Sequence, residues 1–253
     1  MHSGEYADNR SFYTPSRLGP ILFIALLFFL TFIARVLLSP LMPAVEAELD
    51  LTHAQAGNIF FILSIGYFIA LAGSGFLSAR ITHKSTIVCS VTIVGLALLA
   101  IAASRGALGL RAAVFFLGMA AGLYIPSGIT TLTDMVDAKD WGKAVSIHEL
   151  APNLGFVAAP LLAELLLIWF SWRVVPAVLG IAAIGIGLVF ARMGRWGRFS
   201  GQPPGLAAIR RVFSQPSFWI MVLLFSVGIS STLGLYTMLP LYLINDIGIS
   251  RPQ

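Results

Sequence analysis

The sequence predicts an all-α protein, a polytopic bundle of transmembrane helices, from its composition and its long apolar runs. Hydrophobic residues make up 58% of the 253 residues and charged residues only 11%, and the mean hydropathy is +0.89. A soluble domain carries about 25% charged residues, so this chain has too few to cover a soluble surface. The net charge is +5, but the basic residues lie between apolar runs and form no patch, which excludes a nucleic-acid partner.

Seven apolar runs are long enough to span a bilayer, because a spanning helix needs about 20 largely apolar residues. They cover 19–43, 54–78, 85–103, 107–131, 142–170, 174–192 and 219–244. The first run is too long for a signal peptide and lacks a small-residue cleavage site, so we expect it to remain as a membrane anchor.

The basic residues between the runs predict a cytoplasmic N-terminus, since Lys and Arg concentrate on the cytoplasmic side of short loops. In that orientation the outer side holds four basic residues, Arg105, Arg111, Arg173 and Arg251. The inner side holds eleven: Arg10, Arg17, Arg80, Lys84, Lys139, Lys143, Arg192, Arg195, Arg198, Arg210 and Arg211. We therefore expect a multi-pass protein of the bacterial inner membrane.

Four parts follow along the chain. We expect a cytoplasmic segment over 1–18, a six-helix bundle over 19–192, a basic cytoplasmic linker over 193–217, and the first helix of an incomplete second bundle over 218–253. The linker is rich in Arg, Gly and Pro, which is typical of a connection between domains. Within it, 206–213 is either a short amphipathic helix on the inner leaflet or a solvated stretch.

An internal repeat supports this division. With one inserted residue, 42–55 aligns with 239–253. Each segment has a Pro at the end of a helix, then a short turn that contains Leu or Ile, and then a Gln. Six helices, a linker and a second start match the parallel repeats of transporters. We therefore expect the chain to hold one half of a transporter and one further helix.

The loop after the second run resembles the loop signature of the major facilitator superfamily. Four residues stand at signature positions: Gly75, Leu77, Arg80 and Lys84. Ala79 replaces the Asp of the signature and Thr82 replaces a Gly. The resemblance implies that Gly75, Arg80 and Lys84 belong to a loop that gates the inner side.

Two further segments are similar to the same family. The stretch 118–126 resembles its fourth helix, and Gly155, Ala159 and Pro160 form a relaxed version of the glycine-rich motif of its exporters. The resemblance implies a major-facilitator-like half bundle and a secondary active transporter that works by alternating access.

Arg35 is the charged residue deepest in a predicted span, about 24 Å along the first run at 1.5 Å per residue. A charge at this depth normally faces a cavity or a partner, and Thr31 and Ser39 share its helical face. We predict that Arg35 binds a substrate carboxylate or phosphate through its forked donors. The alternatives are an ion pair with Glu149 or Glu164, or a side chain that reaches the outer interface.

The fifth run has one polar face, because steps of about 100° per residue place Glu149, Asn153 and Glu164 close together around the helix. Carboxylates and imidazoles inside membranes serve as proton relays, so Glu149, His148 and Glu164 are predicted to couple protons. Asn153 is predicted to contact substrate. A gate-closing salt bridge for Glu149, simple solvation for Glu164 and a packing role for His148 are the alternatives.

Two tyrosines complete the predicted substrate site. Tyr124 shares a face with other polar residues of the fourth run, and Tyr236 is its counterpart in the seventh. Gly118 and Gly122 form a small-xxx-small pair that lets another helix approach. Gly66 and Gly73, seven residues apart, are predicted to be helix contacts too.

Other function classes lack the residues that they require. No phosphate-binding loop is present, and no nucleophile lies near a base. The single Cys89 excludes a metal site built from cysteines. A helical zinc motif needs a second His four residues after His148, and that position holds Pro152. We therefore expect no enzyme activity, metal or cofactor. The predicted function is transport of a small organic anion coupled to protons, with the lipid bilayer as surroundings. The alternatives are efflux of amphipathic or drug-like compounds by proton antiport, an inactive fragment, and a fragment that needs a second half or a second copy of itself.

Overall fold

The computed structural model describes residues 12, 14–203 and 205–248, and this part of the chain is built from α-helices. The ends of the predicted terminal segments, including Arg10, Arg251 and the last residues of the predicted repeat, lie outside the described residues. The helices are α1 (Pro15–Val36), α2 (Leu38–Leu49), α3 (His53–Arg80), α4 (His83–Ala103), α5 (Ala107–Gly122), α6 (Tyr124–Asp134), α7 (Trp141–His148), α8 (Leu150–Leu167), α9 (Val174–Met193), α10 (Leu206–Phe213) and α11 (Pro216–Leu241).

Within the described residues, seven helical segments are long and apolar enough to cross a membrane, as predicted. They are Arg17–Leu49, His53–Arg80, His83–Ala103, Ala107–Asp134, Ala138–Leu167, Val174–Met193 and Pro216–Pro240. The stretch 206–213 is the helix α10, so the first alternative for its secondary structure is correct. The fold class, an all-α multi-pass bundle, is confirmed.

Three spans consist of two helices joined at a kink, and each kink lies three residues before a proline. The junctions are Leu37, Leu123 and Glu149, and prolines occupy positions 40, 126 and 152. Proline has no N–H to donate to the carbonyl four residues earlier, and its ring crowds that carbonyl. That carbonyl belongs in each case to the last residue of the first helix, so the break falls where the sequence removes a hydrogen bond.

The closest helix pair, α3 and α5, packs backbone against backbone through glycines. A Cβ atom on Gly66 would collide with the carbonyl oxygen of Phe115, and one on Gly122 would collide with that of Tyr67. Gly118 is similarly confined, so three of the four glycines predicted as helix contacts are confirmed. The prediction is wrong for Gly73, which has no such neighbour within 4 Å. Gly122 is the last residue of α5 and packs beside Tyr67 of α3. Gly73 lies further along α3 than Tyr67 and is therefore beyond the end of α5.

The seventh span is the most exposed of the seven spans in the described structure. Its C-terminal half leans on α2 and contacts α3, while none of its most apolar stretch is buried. By contrast, α1 is buried between α8, α7 and α9. The first six spans therefore form one packed bundle, with α11 attached at one side.

Each end of this bundle is tied by hydrogen bonds. At the end where α1 begins, the chain after α9 forms a strap, residues 194–201, over the α3–α4 loop. The amide of Lys84 donates to the Gly197 carbonyl at 2.7 Å, and the amide of Gly201 donates to the Ser78 carbonyl at 2.9 Å. Gly197 has a φ of +70° and lies against Thr131, so a side chain there would be strained and crowded.

The opposite end is tied by a clamp of three side chains, Glu48, Trp172 and Arg173. The indole N–H of Trp172 donates to Glu48 at 2.6 Å, and Arg173 pairs with the same carboxylate at 2.8 Å. Arg173 also donates to the carbonyls of Ala102 and Ser104. The clamp therefore joins the end of α2, the end of α4 and the start of α9.

We predict that Gly66→Ala destabilises the bundle by about 1–3 kcal/mol, because the added methyl group forces α3 away from α5. Gly73→Ala is the matched control on the same helix, where open space and the higher helix propensity of Ala make the change neutral or stabilising by up to about 1 kcal/mol. The measurement is the thermal unfolding midpoint of each purified variant in detergent. Equal midpoints for the two variants would contradict the close α3–α5 contact.

Candidate functional site

Arg35 lies at the end of α1, close to the middle of its span. The span runs from Arg17 to Leu49, so Arg35 lies 18 residues after its first residue and 14 before its last. The first run was predicted to end at residue 43, whereas Pro40 and Pro43 lie inside α2, which continues to Leu49.

The guanidinium of Arg35 stacks on an aromatic ring of α3. Its Cζ atom is 3.9 Å from the centroid of Tyr67 and 5.7 Å from that of Phe32. Its Nε atom is buried and has no hydrogen-bond partner. Within the described residues, no ion pair joins Arg35 to Glu149 or Glu164. The ring contact, not a carboxylate, therefore stabilises this charge.

Arg35 faces a cleft of about 380 Å³ between α1, α3 and α11. This volume lies in the range of small-molecule sites. The other lining residues are Val36, Phe60, Phe61, Leu63, Ser64, Ile229, Ser230, Leu233, Gly234 and Thr237. The cleft thus combines one positive charge with apolar walls and a few hydroxyl groups, an arrangement that suits a small anion with an apolar body.

Two hydroxyl groups attach α11 to the neighbouring helices. Each donates a hydrogen bond to a backbone carbonyl that has no helical donor because a proline follows four residues later. Pro240 leaves the Tyr236 carbonyl without its helical donor, and the hydroxyl of Ser39 on α2 donates to that carbonyl at 2.7 Å. Pro160 leaves the Phe156 carbonyl free in the same way, and the hydroxyl of Tyr236 donates to it at 3.4 Å. Tyr236, predicted to bind substrate, therefore connects α2, α8 and α11.

We predict that Ser39→Ala loosens the C-terminal half of α11, because the Tyr236 carbonyl then has no donor in apolar surroundings. The cost of about 1–2 kcal/mol corresponds to hydrogen exchange about 5–30 times faster in this part of α11. Ser231→Ala is the matched control, since the Ser231 hydroxyl donates only to Val227 of its own helix. Unchanged exchange in Ser39→Ala would contradict this role of Ser39.

A second polar cluster surrounds the junction of α7 and α8. His148 is fully buried and stacks on Phe28 of α1, with ring centroids 4.3 Å apart and an angle of 7° between the rings. Its Nδ1 atom is 3.3 Å from Oε1 of Glu149, and its Nε2 atom is 3.3 Å from the Tyr124 hydroxyl. Tyr124 is also fully buried and donates to the Ile24 carbonyl at 2.6 Å. The structure thus brings three of the predicted site residues together.

The remaining polar residues of this span lie apart from the cluster. Asn153 is exposed, and its amide donates to the Glu149 carbonyl one turn earlier at 2.9 Å. Glu164 is partly buried further along α8, and within the described residues its carboxylate has no ion-pair partner. Asn153 therefore supports the backbone at the junction, while Glu164 is separate from both polar sites.

The predicted gating loop is tied to the end of α9. The ammonium group of Lys84 donates to the Ala191 carbonyl at 2.6 Å. Arg80 is exposed, and within the described part of the chain it forms no ion pair. Gly75 lies one turn before this loop, and its carbonyl accepts a bond from Ser78. The strap, and not a carboxylate at the position of Ala79, therefore holds the loop.

Several residues of these sites were not predicted. Tyr67 carries no signal in the sequence, because its position under Arg35 depends on the packing of α3 against α5. Phe28 and Phe32 have a usable signal, since with Arg35 they follow one face of α1 at helical spacing. Among the residues that the structure describes, no group of three or more His, Cys, Asp or Glu side chains could hold a metal ion.

Comparison with known proteins gives a family match over almost the whole chain. The model of the family described as Major Facilitator Superfamily matches residues 24–253. A solved bacterial homologue of the human lysosomal transporter Spinster, inward-facing and unoccupied, superposes with a TM-score of 0.78 at 19% identity. That match covers 94% of this chain and 57% of the homologue. At this level of identity the likeness concerns the fold alone.

Three curated relatives are similar at low identity. The niacin transporter NiaP of Acinetobacter baylyi is 25% identical over 153 residues, which is 60% of this chain and 35% of NiaP. The probable sulfoacetate transporter SauU of Cupriavidus necator is 24% identical over 66% of this chain and 39% of its own length. The multidrug resistance protein MdtL of a Shewanella species is 24% identical over 84% and 54%. The chain thus spans between about a third and just over half of these relatives.

Proposed function

The chain belongs to the major facilitator superfamily, and we propose that it takes part in the transport of a small organic anion across the membrane by alternating access. The observation that carries this proposal is the guanidinium of Arg35 in the middle of its span. It stacks on Tyr67, has no carboxylate partner within the described residues, and faces a cleft of about 380 Å³.

An anion fits this cleft for electrostatic reasons. A charge at membrane depth is costly without a partner, and a guanidinium offers parallel donors that match a carboxylate or sulfonate. The Tyr67 ring covers one face of the guanidinium, so its edge remains the side that can donate to a ligand. The names of NiaP and SauU refer to niacin and sulfoacetate, which are small organic acids.

Protons are the proposed coupling ion, with His148 and Glu149 as the groups that bind them. These residues lie at the junction of α7 and α8, and ring contacts of Phe28 and Phe32 on α1 connect His148 with Arg35. We assign Glu164 a secondary role in proton exchange, because it lies apart on the same helix. The proposed location is the bacterial inner membrane with a cytoplasmic N-terminus, in which case the strap and the loop with Arg80 and Lys84 face the cytoplasm.

A second candidate function is proton-coupled efflux of amphipathic compounds. It is favoured by MdtL, whose match covers the largest share of this chain among the three relatives. The walls of the cleft are largely apolar and would also accept an amphipathic molecule. The two functions differ in what they require of Arg35, because a lipophilic cation gains nothing from a guanidinium.

We predict that Arg35→Gln lowers anion binding and transport by about 10- to 100-fold, because charge-assisted hydrogen bonds contribute about 1.5–3 kcal/mol. The purified chain is reconstituted in proteoliposomes with a pH dye inside, and nicotinate, sulfoacetate and the cation tetraphenylphosphonium are offered in turn. Binding of the same compounds is measured by calorimetry in detergent. Arg192→Gln, which removes an exposed charge at the end of α9, is the matched control.

The outcomes separate the two candidates. Binding and uptake of an organic anion that disappear in Arg35→Gln and persist in Arg192→Gln support the anion proposal. Flux of the lipophilic cation, unaffected by Arg35→Gln, would favour efflux. Anion binding of equal strength in the wild type and in well-folded Arg35→Gln would overturn the assignment of this site.

A further inference from the structure

We propose that the contact between His148 and Glu149 is a binding site for one shared proton, and that Tyr124 creates this site by fixing the tautomer of His148. This inference rests on the proposed proton coupling and names how the proton is held. It makes Tyr124 a positioning residue that acts through His148, which differs from the substrate contact predicted for it.

The first step concerns the hydrogen atom of the Tyr124 hydroxyl. A carbonyl oxygen can only accept, so the 2.6 Å contact with the Ile24 carbonyl requires the hydroxyl to donate its single hydrogen there. The competing contact with His148 is longer, at 3.3 Å. The hydroxyl oxygen of Tyr124 is therefore left as an acceptor towards the imidazole.

The second step follows for Nε2 of His148. Since Tyr124 can only accept from it, Nε2 must carry a hydrogen, and a neutral imidazole has only one N–H. In the neutral ring Nδ1 is then a bare acceptor. His148 is fully buried between Phe28 and Tyr124, so water does not offer Nε2 another partner.

The third step concerns the 3.3 Å contact between Nδ1 of His148 and Oε1 of Glu149. An ionised carboxylate is also only an acceptor, so a neutral His148 and an ionised Glu149 would place two lone pairs against each other. One additional proton removes the conflict, either on Nδ1 as an imidazolium or on Glu149 as a carboxylic acid. The contact therefore exists only when the pair holds this proton, and the protonated pair has no net charge.

Few other charges surround the pair. Within the described residues, the titratable groups that reach the His148 ring are Tyr124 from α6 and Glu149 at the junction. From α1 the ring meets Phe28, which does not titrate. The face of Phe28 lies 4.3 Å from the imidazole and attracts a cationic ring.

Release of the proton changes the geometry as well as the charge. The pair becomes anionic, its two acceptors repel, and the Glu149 side chain, which is 50% exposed, can turn away while His148 stays in its aromatic stack. Because Glu149 is the junction of α7 and α8, this rearrangement occurs at a kink of the fifth span.

The test reads the tautomer directly by nitrogen-15 NMR of histidine-labelled full-length chain in detergent micelles, with the His148→Gln spectrum used to assign the signals of His148. In the wild type we expect Nε2 to stay protonated at every pH, with Nδ1 gaining its hydrogen only in the protonated pair. In Tyr124→Phe we expect the neutral ring to carry its hydrogen on Nδ1 instead, because Glu149 can accept it and no hydroxyl faces Nε2.

Two further variants sharpen the experiment. Glu149→Gln offers an amide N–H to Nδ1 and so imitates the protonated pair; the Nε2–H tautomer should persist and the pH dependence at Nδ1 should disappear. Tyr242→Phe removes an exposed hydroxyl and should leave the His148 signals unchanged. If Tyr124→Phe does not fold, the wild type and Glu149→Gln decide the matter.

A neutral wild-type ring protonated on Nδ1, or a tautomer that is the same in the wild type and in Tyr124→Phe, would overturn the proposal. The measurement needs no transport. A chain that moves no anion but shows the expected tautomers would contradict the proposed function and leave the shared proton intact. A chain that transports an anion but shows other tautomers would support the proposed function and overturn the shared proton.

Discussion

The absence of water in the bilayer interior is the constraint on which the rest of this structure depends. Every backbone carbonyl inside the hydrocarbon region needs a partner within the protein, and each proline inside a helix removes one such partner. In this chain each of the three kinks lies three residues before a proline, at positions 40, 126 and 152. Arg35, Tyr124 and Glu149 each lie at one of these kinks or within two residues of it, so the polar sites lie where the helices are interrupted.

The same constraint explains how α11 attaches to the first bundle. Ser39 and Tyr236 donate to carbonyls that Pro240 and Pro160 leave free, so two defects in separate helices are satisfied by neighbouring hydroxyls. Helices in a bilayer gain little from burying apolar surface against one another, because lipid tails are equally apolar. Specific hydrogen bonds of this kind therefore determine where an otherwise exposed helix docks.

Much of the fold could be predicted from the sequence, because bilayer thickness sets the length of a span and apolar runs show it directly. The end of the first helical segment was misjudged, since the prolines at 40 and 43 do not end it and α2 continues to Leu49. Gly118 and Gly122 were recognisable from their small-xxx-small spacing, and Gly66 from its spacing of seven residues to Gly73. The prediction failed at Gly73 itself, because spacing does not say where the partner helix stops. Tyr67 could not be found, since its contact with Arg35 is set by two helices distant in sequence. His148, Glu149 and Tyr124 were each singled out, but Tyr124 was assigned to the substrate site, so their contact and its hydrogen-bond directions required coordinates. The roles of Arg35, Glu149, Glu164 and Asn153 stay predictions.

The clamp at Glu48 and the strap at residues 194–201 together have a mechanical consequence. The clamp joins α2, α4 and α9 at one end, and the strap joins α9 to the α3–α4 loop at the other. Shear between these helices would break bonds at both ends, so the spans that contain α2, α3, α4 and α9 behave as a braced frame. The strap ends at Gly201 and α10 begins at Leu206. Beyond that point α11 is connected to the frame through the hydrogen bond from Ser39 of α2 to the Tyr236 carbonyl, so this single donor couples the seventh span to the braced end of the first.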